Sequence, residues 1–326
     1  LGLIFVPCLH AANSEPLPEN PRLISLSPSL TAIVVALGRG DTLVGVDDYS
    51  AQVVSQVSTL PKVGGLFDPS LEAVVALQPD RVLMVAGVDQ QSHGDRLERL
   101  GLSVEIYQNE RLDEVLENIN RIGGLLGREA EAALRVASIH AMRRAVHSAT
   151  EGRPRPATIA VVDRSPLYLV GSDTFLDEML EAAGAENLGR KLSTGYPRGS
   201  IEWLIAAKPD LLLDMTPGLE DARTFWGRWS SLPAVQNNRV LSVEASRVSL
   251  PGPELDQALR ELAIVVHGPE IAVAIDRMLN RTTGLWVEPQ GQMDRSRPSV
   301  PPTVSTSSKG QARPAGTEPH AEVGAP

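Results

Sequence analysis

The sequence predicts an α/β protein of two lobes, each built on a parallel sheet, joined by one long helix. Three observations carry this expectation. A loop–helix–strand unit occurs twice, short apolar strands alternate with helical stretches, and the middle of the chain is a run of helix formers without a strand signal. The sixteen residues from Gly65 to Asp80 return as Gly195 to Asp210, at a constant offset of 130. Six positions are identical (Gly65, Ser70, Glu72, Ala76, Pro79 and Asp80 in the first copy), where average composition gives roughly one by chance. Such a period is too long for a solenoid repeat and points to two similar halves.

Each copy reads the same way. Ser70 and Ser200 are N-cap residues whose hydroxyl can accept a free backbone N–H of the next turn. Glu72 and Glu202 fall in the first turn, where negative charge suits the helix dipole. Pro79 and Pro209 bias the preceding residue away from helix and end it after two turns. Strands follow over 81–85 and 211–215.

The remaining elements follow in order. Residues 1–12 are apolar and 13–21 polar and proline-rich, which reads as the end of an export signal with cleavage near Ala11 and Ala12. A lipid anchor on Cys8 is the rival reading, although Pro7 beside it is poor for that modification. Strands are expected over 23–26 and 43–46, a helix from Ser27 to Leu37, and a loop over Asp47-Asp48-Tyr49-Ser50. A helix from about Gln90 to Leu100 leads to a strand over 103–107. Between Leu112 and Thr150 two helices are expected, the second of about twenty residues or ~30 Å. Its apolar face is read as Leu134, Ile139, Met142 and Val146, and its length suits a strut between lobes.

After the breaker over 152–156 a second lobe begins, with strands over 158–162, 167–171 and 239–243 and helices over 175–183, 222–229 and 254–266. The division is therefore 1–21 signal remnant and linker, 22–108 first lobe, 109–151 helical segment with strut, 152–287 second lobe, and 288–326 a disordered tail poor in bulky apolar residues.

The totals narrow the function. A formal net charge of −10 argues against a nucleic-acid surface. One cysteine allows no intrachain disulfide. The six histidines are scattered, without the clustered spacing of a transition-metal site. No nucleophile elbow, phosphate loop or complete dinucleotide fingerprint occurs, so the chain is read as a binding protein and not an enzyme.

In order and spacing, the motifs Leu26-Ser27-Pro28-Ser29-Leu30-Thr31, Leu43-Val44-Gly45-Val46, Leu60-Pro61-Lys62-Val63-Gly64-Gly65, Pro69-Ser70-Leu71-Glu72, Gly184-Ala185-Glu186-Asn187 and Leu250-Pro251-Gly252-Pro253-Glu254-Leu255 resemble the substrate-binding proteins of ABC importers for cobalamin, haem and iron siderophores. The resemblance covers about residues 22–268. It implies two Rossmann-like lobes, a ligand in the cleft between them, an exported or periplasmic monomer, and a permease with its ATPase subunits as partners. It implies no intrinsic cofactor, the metal chelate being cargo. Ala32 stands where the family often has Glu, Glu254 where it often has Arg, and the loop Asp48-Tyr49-Ser50-Ala51 lacks the usual Pro.

Candidate site residues follow. Alone, Glu72 or Glu202 is a dipole partner worth ~0.3–1 kcal/mol; their equivalent placement and the resemblance make them permease-docking residues. The cleft belongs at loops beyond the carboxyl ends of the strands, where Tyr49, Phe67, Tyr168 and Tyr196 can meet a flat macrocycle. Tyr49, Phe67 and Tyr196 are read as lying outside helices, and Tyr168 as the one that can lie within a strand. The resemblance places Tyr49, Tyr168 and Tyr196 at ligand-lining positions of cobalamin binders. Arg247, just past a strand, can meet a ligand carboxylate or amide. His93 is a candidate axial iron ligand, or an ordinary surface residue. Phe225, Trp229 and Trp203 are assigned to packing. Cobalamin is the expected cargo, haem or a ferric siderophore the alternative, and an α/β enzyme acting on a metal-containing cofactor the second alternative.

Overall fold

The computed structural model describes residues 17–66, 68–216, 220–243, 248 and 250–283. Cys8, Phe67, Arg247 and the tail over 288–326 lie outside the described residues, as do most of the residues assigned to the export signal.

Two separate sheets form. The first orders its strands β2-β1-β3-β4, from β1 (Leu23–Ser25), β2 (Leu43–Val46), β3 (Arg81–Val85) and β4 (Val104–Tyr107). All three pairings are parallel. The second orders β6-β5-β8-β9, from β5 (Ala157–Arg164), β6 (Leu167–Leu169), β8 (Leu211–Asp214) and β9 (Val240–Ser242), with β7 (Glu186–Asn187) also on β5. Among the described residues only the edge strand β6 runs antiparallel.

Both sheets are covered on both faces, as their unbroken apolar strands require. Neighbouring residues of one strand enter different cores: Leu23 and Leu83 join the large cluster, while Ile24, Val82 and Met84 join a smaller one. In the second lobe Ala160 and Leu213 face the large cluster, while Ile159, Val161 and Leu212 face another small one. The duplicated helices Leu71–Ala76 and Ile201–Ala207 close the two small cores. Each does so through one wholly buried residue, Val74 and its counterpart Leu204.

The large cluster is shared. It takes residues from both sheets and from the helices Leu112–Leu125, Glu129–Thr150, Phe175–Ala182, Leu255–His267 and Ile271–Thr283. The strut is the 22-residue helix Glu129–Thr150, about 33 Å long. It is packed along its length and not free-standing, so the frame between the sheets is stiff. Gly127, at φ 63°, breaks the chain between it and the preceding helix. Gly123 lets the two helices touch: a Cβ there would lie 2.5 Å from the Ala132 Cβ.

The structure corrects three local expectations. Leu134 is 73% exposed, and the buried stripe runs through Ala132, Ile139, Met142, Ala145, Val146 and Ala149. At about 100° per residue, Leu134 falls on the far side from Ala132. Residues 48–53 form a helix rather than a loop, because the Asp47 carboxylate accepts the N–H groups of Tyr49 and Ser50 and caps it. The helix Ile271–Thr283 follows the expected closing helix and packs on the strut. Among the described residues no helix is long and apolar enough to cross a membrane.

Candidate functional site

The loops that leave the carboxyl ends of the strands are built on polar side chains. At the first sheet the chain Asp47, Ser50, Thr31, Ser25 is wholly buried. Asp47 Oδ2 accepts from the Ser50 hydroxyl. Thr31 Oγ1 lies 2.9 Å from Ser50 Oγ and donates to Ser25 Oγ at 2.8 Å. Asn109 Nδ2, beyond β4, donates to Ser29 Oγ at 2.9 Å. The loops after β1, β2 and β4 are thereby tied together without a cation. Burial pushes the Asp47 carboxyl up, against the Ser50 and Tyr49 donors that lower it. Tyr49 is therefore presented by a capped helix, not by a loop, and is 45% exposed.

In the second lobe, Tyr168 sits on β6 between the buried Leu167 and Leu169, and so points off the opposite face, 38% exposed. Tyr196 sits on a segment annealed to that strand. Leu169 N–H donates to Pro197 O at 3.0 Å, and Gly171 N–H to Gly195 O at 2.9 Å. The approach requires glycine, since a Cβ at Gly171 would lie 2.2 Å from Ser193 O. The structure thus brings Tyr168 and Tyr196 to one sheet edge.

The two lobes meet beside this edge. Glu178 Oε2 accepts Leu112 N–H at 2.7 Å, and Arg111 pairs with Glu178 Oε1 at 2.9 Å. Next to this clamp, partial desolvation raises the Tyr196 hydroxyl although the residue as a whole is 49% exposed, and the negative charge of Glu110 from the loop after β4 raises it further. An open depression of about 520 Å³ lies there, lined by Ala86, Gly87, Gln91, Gln108 and Glu110. A second crevice, of about 430 Å³, includes Ala32 and Glu254 in its lining. Two of the departures from the resembled family, Ala32 and Glu254, are therefore neighbours in space.

One cluster escaped the sequence reading. Asp214, the last residue of β8, is buried. It accepts from Arg164 Nε at 2.8 Å, from Thr216 N–H at 3.0 Å and from the Trp226 indole. Arg164 also lies over the Phe225 ring at 4.6 Å and donates to Glu220 O at 2.9 Å. A buried charge survives only when paired and hydrogen-bonded in this way. The available signal was an Asp ending an apolar strand. Phe225, Trp229 and Trp203 pack against the second lobe's small core, as expected.

The docking candidates are equivalent in detail. Ser70 Oγ accepts Ala73 N–H at 3.3 Å, and Ser200 Oγ accepts Trp203 N–H at 3.2 Å. Glu72 and Glu202 are both exposed in the following turn. The Glu202 carboxyl is held below its usual range by its own backbone N–H and by the Ser200 hydroxyl. His93 lies part-buried in the helix Val88–Arg99, its Nδ1 without a hydrogen-bond partner among the described residues. Among the described residues no group of three or more His, Cys, Asp or Glu could hold a metal ion. His140 and His147 instead line a groove with Arg143, Arg144, Arg153 and Arg155.

Known proteins share this architecture. An uncharacterized ABC transporter substrate-binding lipoprotein of Bacillus subtilis is 30% identical over 262 residues, 76% of this chain and 81% of that protein. A vitamin B12-binding protein of Vibrio parahaemolyticus is 25% identical over 260 residues, 79% of this chain and 92% of that protein. The solved structure of a periplasmic haem-binding protein from Roseiflexus, in apo form, superposes with a TM-score of 0.67 at 25% identity, covering 78% of this chain and 99% of that one. The family described as periplasmic binding protein matches residues 23–246. With two covered parallel sheets, a shared helical frame and this match over most of its length, the chain belongs to the periplasmic binding protein family.

Proposed function

We propose that the protein captures a corrinoid, cobalamin foremost, in the cleft between its lobes and delivers it to the permease of an ABC importer. The exposure of its tyrosines carries this reading. Of four tyrosines, Tyr49, Tyr168 and Tyr196 are 45%, 38% and 49% exposed, whereas Tyr107 is 1% exposed. Planar rings held in water at the mouths of two sheets suit the faces of a flat macrocycle, with the hydroxyls as polar handles. The relative named for vitamin B12 binding supports the cargo. Glu72 and Glu202, one per lobe, serve as the docking charges for the permease, where pairing with arginine sets orientation and encounter rate. No catalytic role is assigned to any residue.

A second reading keeps the class and changes the cargo to haem or a ferric siderophore. It is favoured by the haem-binding neighbour and by the unpartnered Nδ1 of His93, an imidazole nitrogen of the kind that ligates iron. Titration calorimetry with cyanocobalamin, haem and a ferric siderophore side by side separates the two. Tightest binding of cyanocobalamin supports the first reading. Preferred haem binding with a charge-transfer band, lost in His93→Ala, moves the assignment to the second.

A further inference from the structure

The cleft wall of the first lobe differs in chemistry from the tyrosine edge of the second. Its lining over Ala86, Gly87, Gln91, Gln108 and Glu110 carries two side-chain amides, one carboxylate and no lysine or arginine. The wall is fixed from behind. Asn118, itself buried, donates to Gln108 O at 2.6 Å, and Glu114 Oε2 accepts the N–H groups of Glu110 and Arg111 at 2.9 and 3.0 Å. Those contacts hold the backbone and leave the side chains exposed. Among the described residues, neither the Gln108 nor the Glu110 side chain has a hydrogen-bond partner. The Arg111–Glu178 clamp begins one residue further on, so the wall keeps its place relative to the second lobe.

Primary amides donate and accept at once, and a carboxylate only accepts. A ligand edge of amides can satisfy both: its N–H groups reach Glu110 and the glutamine oxygens, while its carbonyls accept from the glutamine NH₂ groups. A ligand edge of carboxylates can accept from the glutamines but meets like charge at Glu110. Among the described residues the lining holds no cation, and the neighbouring Arg111 is already paired with Glu178, so little offsets that repulsion. The wall therefore distinguishes two classes of macrocycle that the tyrosines, which recognise a flat apolar face, would accept equally.

We propose that Gln91, Gln108 and Glu110 are specificity-determining residues, selecting a macrocycle whose periphery carries carboxamides over one whose periphery carries free carboxylates. This rests on the corrinoid reading above and adds to it the part of the ligand that is read. Glu110 lies near enough to act electrostatically on the Tyr196 hydroxyl, so the ring can grip one part of the ligand while the amides test its substituents.

The test is titration calorimetry on the full chain with two corrinoids of one ring system, dicyanocobinamide, whose side arms are amides, and dicyanocobyrinic acid, whose side arms are carboxylates. The wild type should bind the amide form at least roughly tenfold tighter, the scale of one good hydrogen bond gained or one charge left facing another. Glu110→Gln should shrink that ratio by improving binding of the carboxylate form. Gln108→Leu should shrink it by weakening the amide form more than the carboxylate form, since only the amide form uses the glutamine oxygen as well as its NH₂, with thermal melts confirming that both variants fold. Equal affinities in the wild type, or a ratio unmoved by Glu110→Gln, would overturn the wall and leave the corrinoid reading standing. Binding of haem with neither corrinoid bound would overturn both.

Discussion

Gln78 and Lys208, 130 positions apart, both hold left-handed backbone, at φ 47° and 50°, at the end of the duplicated helix. Neither is glycine, and the helix before it ends at Ala76 in the first copy and one position later, at Ala207, in the second. After each comes Pro-Asp, and the two aspartates make matching contacts. Asp80 Oδ2 accepts Arg22 N–H at 2.8 Å and Asp210 Oδ2 accepts Ala157 N–H at 3.0 Å, which pins each helix to the start of its lobe's first strand.

Left-handed backbone costs a β-carbon-bearing residue about 1–2 kcal/mol, part of which glycine returns as unfolded-state entropy. Lys208→Gly should therefore raise stability by about 0.5–1 kcal/mol, read as a higher urea midpoint at unchanged slope. A lower midpoint would show that the lysine side chain contributes more than the strain.

Asp47 gives a pH dependence with a definite sign. Burial raises its carboxyl above the ordinary value of 3.8, so the folded chain keeps this proton where the unfolded chain has lost it. The contribution to stability is complete below pH 3.8 and is lost as pH rises through the elevated folded value. Asp47→Asn keeps an acceptor for the cap and cannot ionise. Urea melts across this range should show the wild type losing stability relative to the variant as pH rises; a constant difference would contradict the burial argument.

Gly123 is where the strut meets its neighbour, with Ala132 Cβ and Arg128 O closest to the missing side chain. Gly123→Ala should cost about 1–3 kcal/mol by overpacking, despite alanine's better helix propensity. A thermal melt decides it, and a gain in stability would mean the helices can part without loss.

Tyr168→Ala and Tyr196→Ala should each weaken corrinoid binding by about 10- to 100-fold, which is about 1.4–2.7 kcal/mol, with little change in thermal stability because neither ring belongs to a buried core. Unchanged calorimetric affinity in both variants would remove the tyrosine edge from the site.

Joint replacement of Glu72 and Glu202 by alanine should abolish uptake by cells carrying the importer and leave ligand affinity in vitro unaltered. Full uptake by the double variant would rule out docking through these two carboxylates.

The strands, the two lobes and the long helix were legible in the sequence because each is specified locally. An apolar run, a capping serine or a proline acts within one turn, and a repeated unit repeats its turn chemistry, as Ser70 and Ser200 show. What stayed hidden depends on which face meets a distant neighbour. Ala132 displaced Leu134 from the strut's buried stripe because Gly123 admits only a small partner. Asp214, Arg164 and Trp226 form one cluster, although 62 positions separate the first and last of them in the chain. Gln108 and Glu110 have no periodic pattern, and only the fold that sets them beside Ala86, Gly87 and Gln91 makes a wall of them. By itself the sequence determined most of the elements and their grouping into lobes, since those rest on backbone hydrogen bonds and local apolar spacing. The tertiary structure alone decided the chemistry of the cleft, because side chains from both halves of the chain acquire a common environment only after the lobes have closed on their shared core.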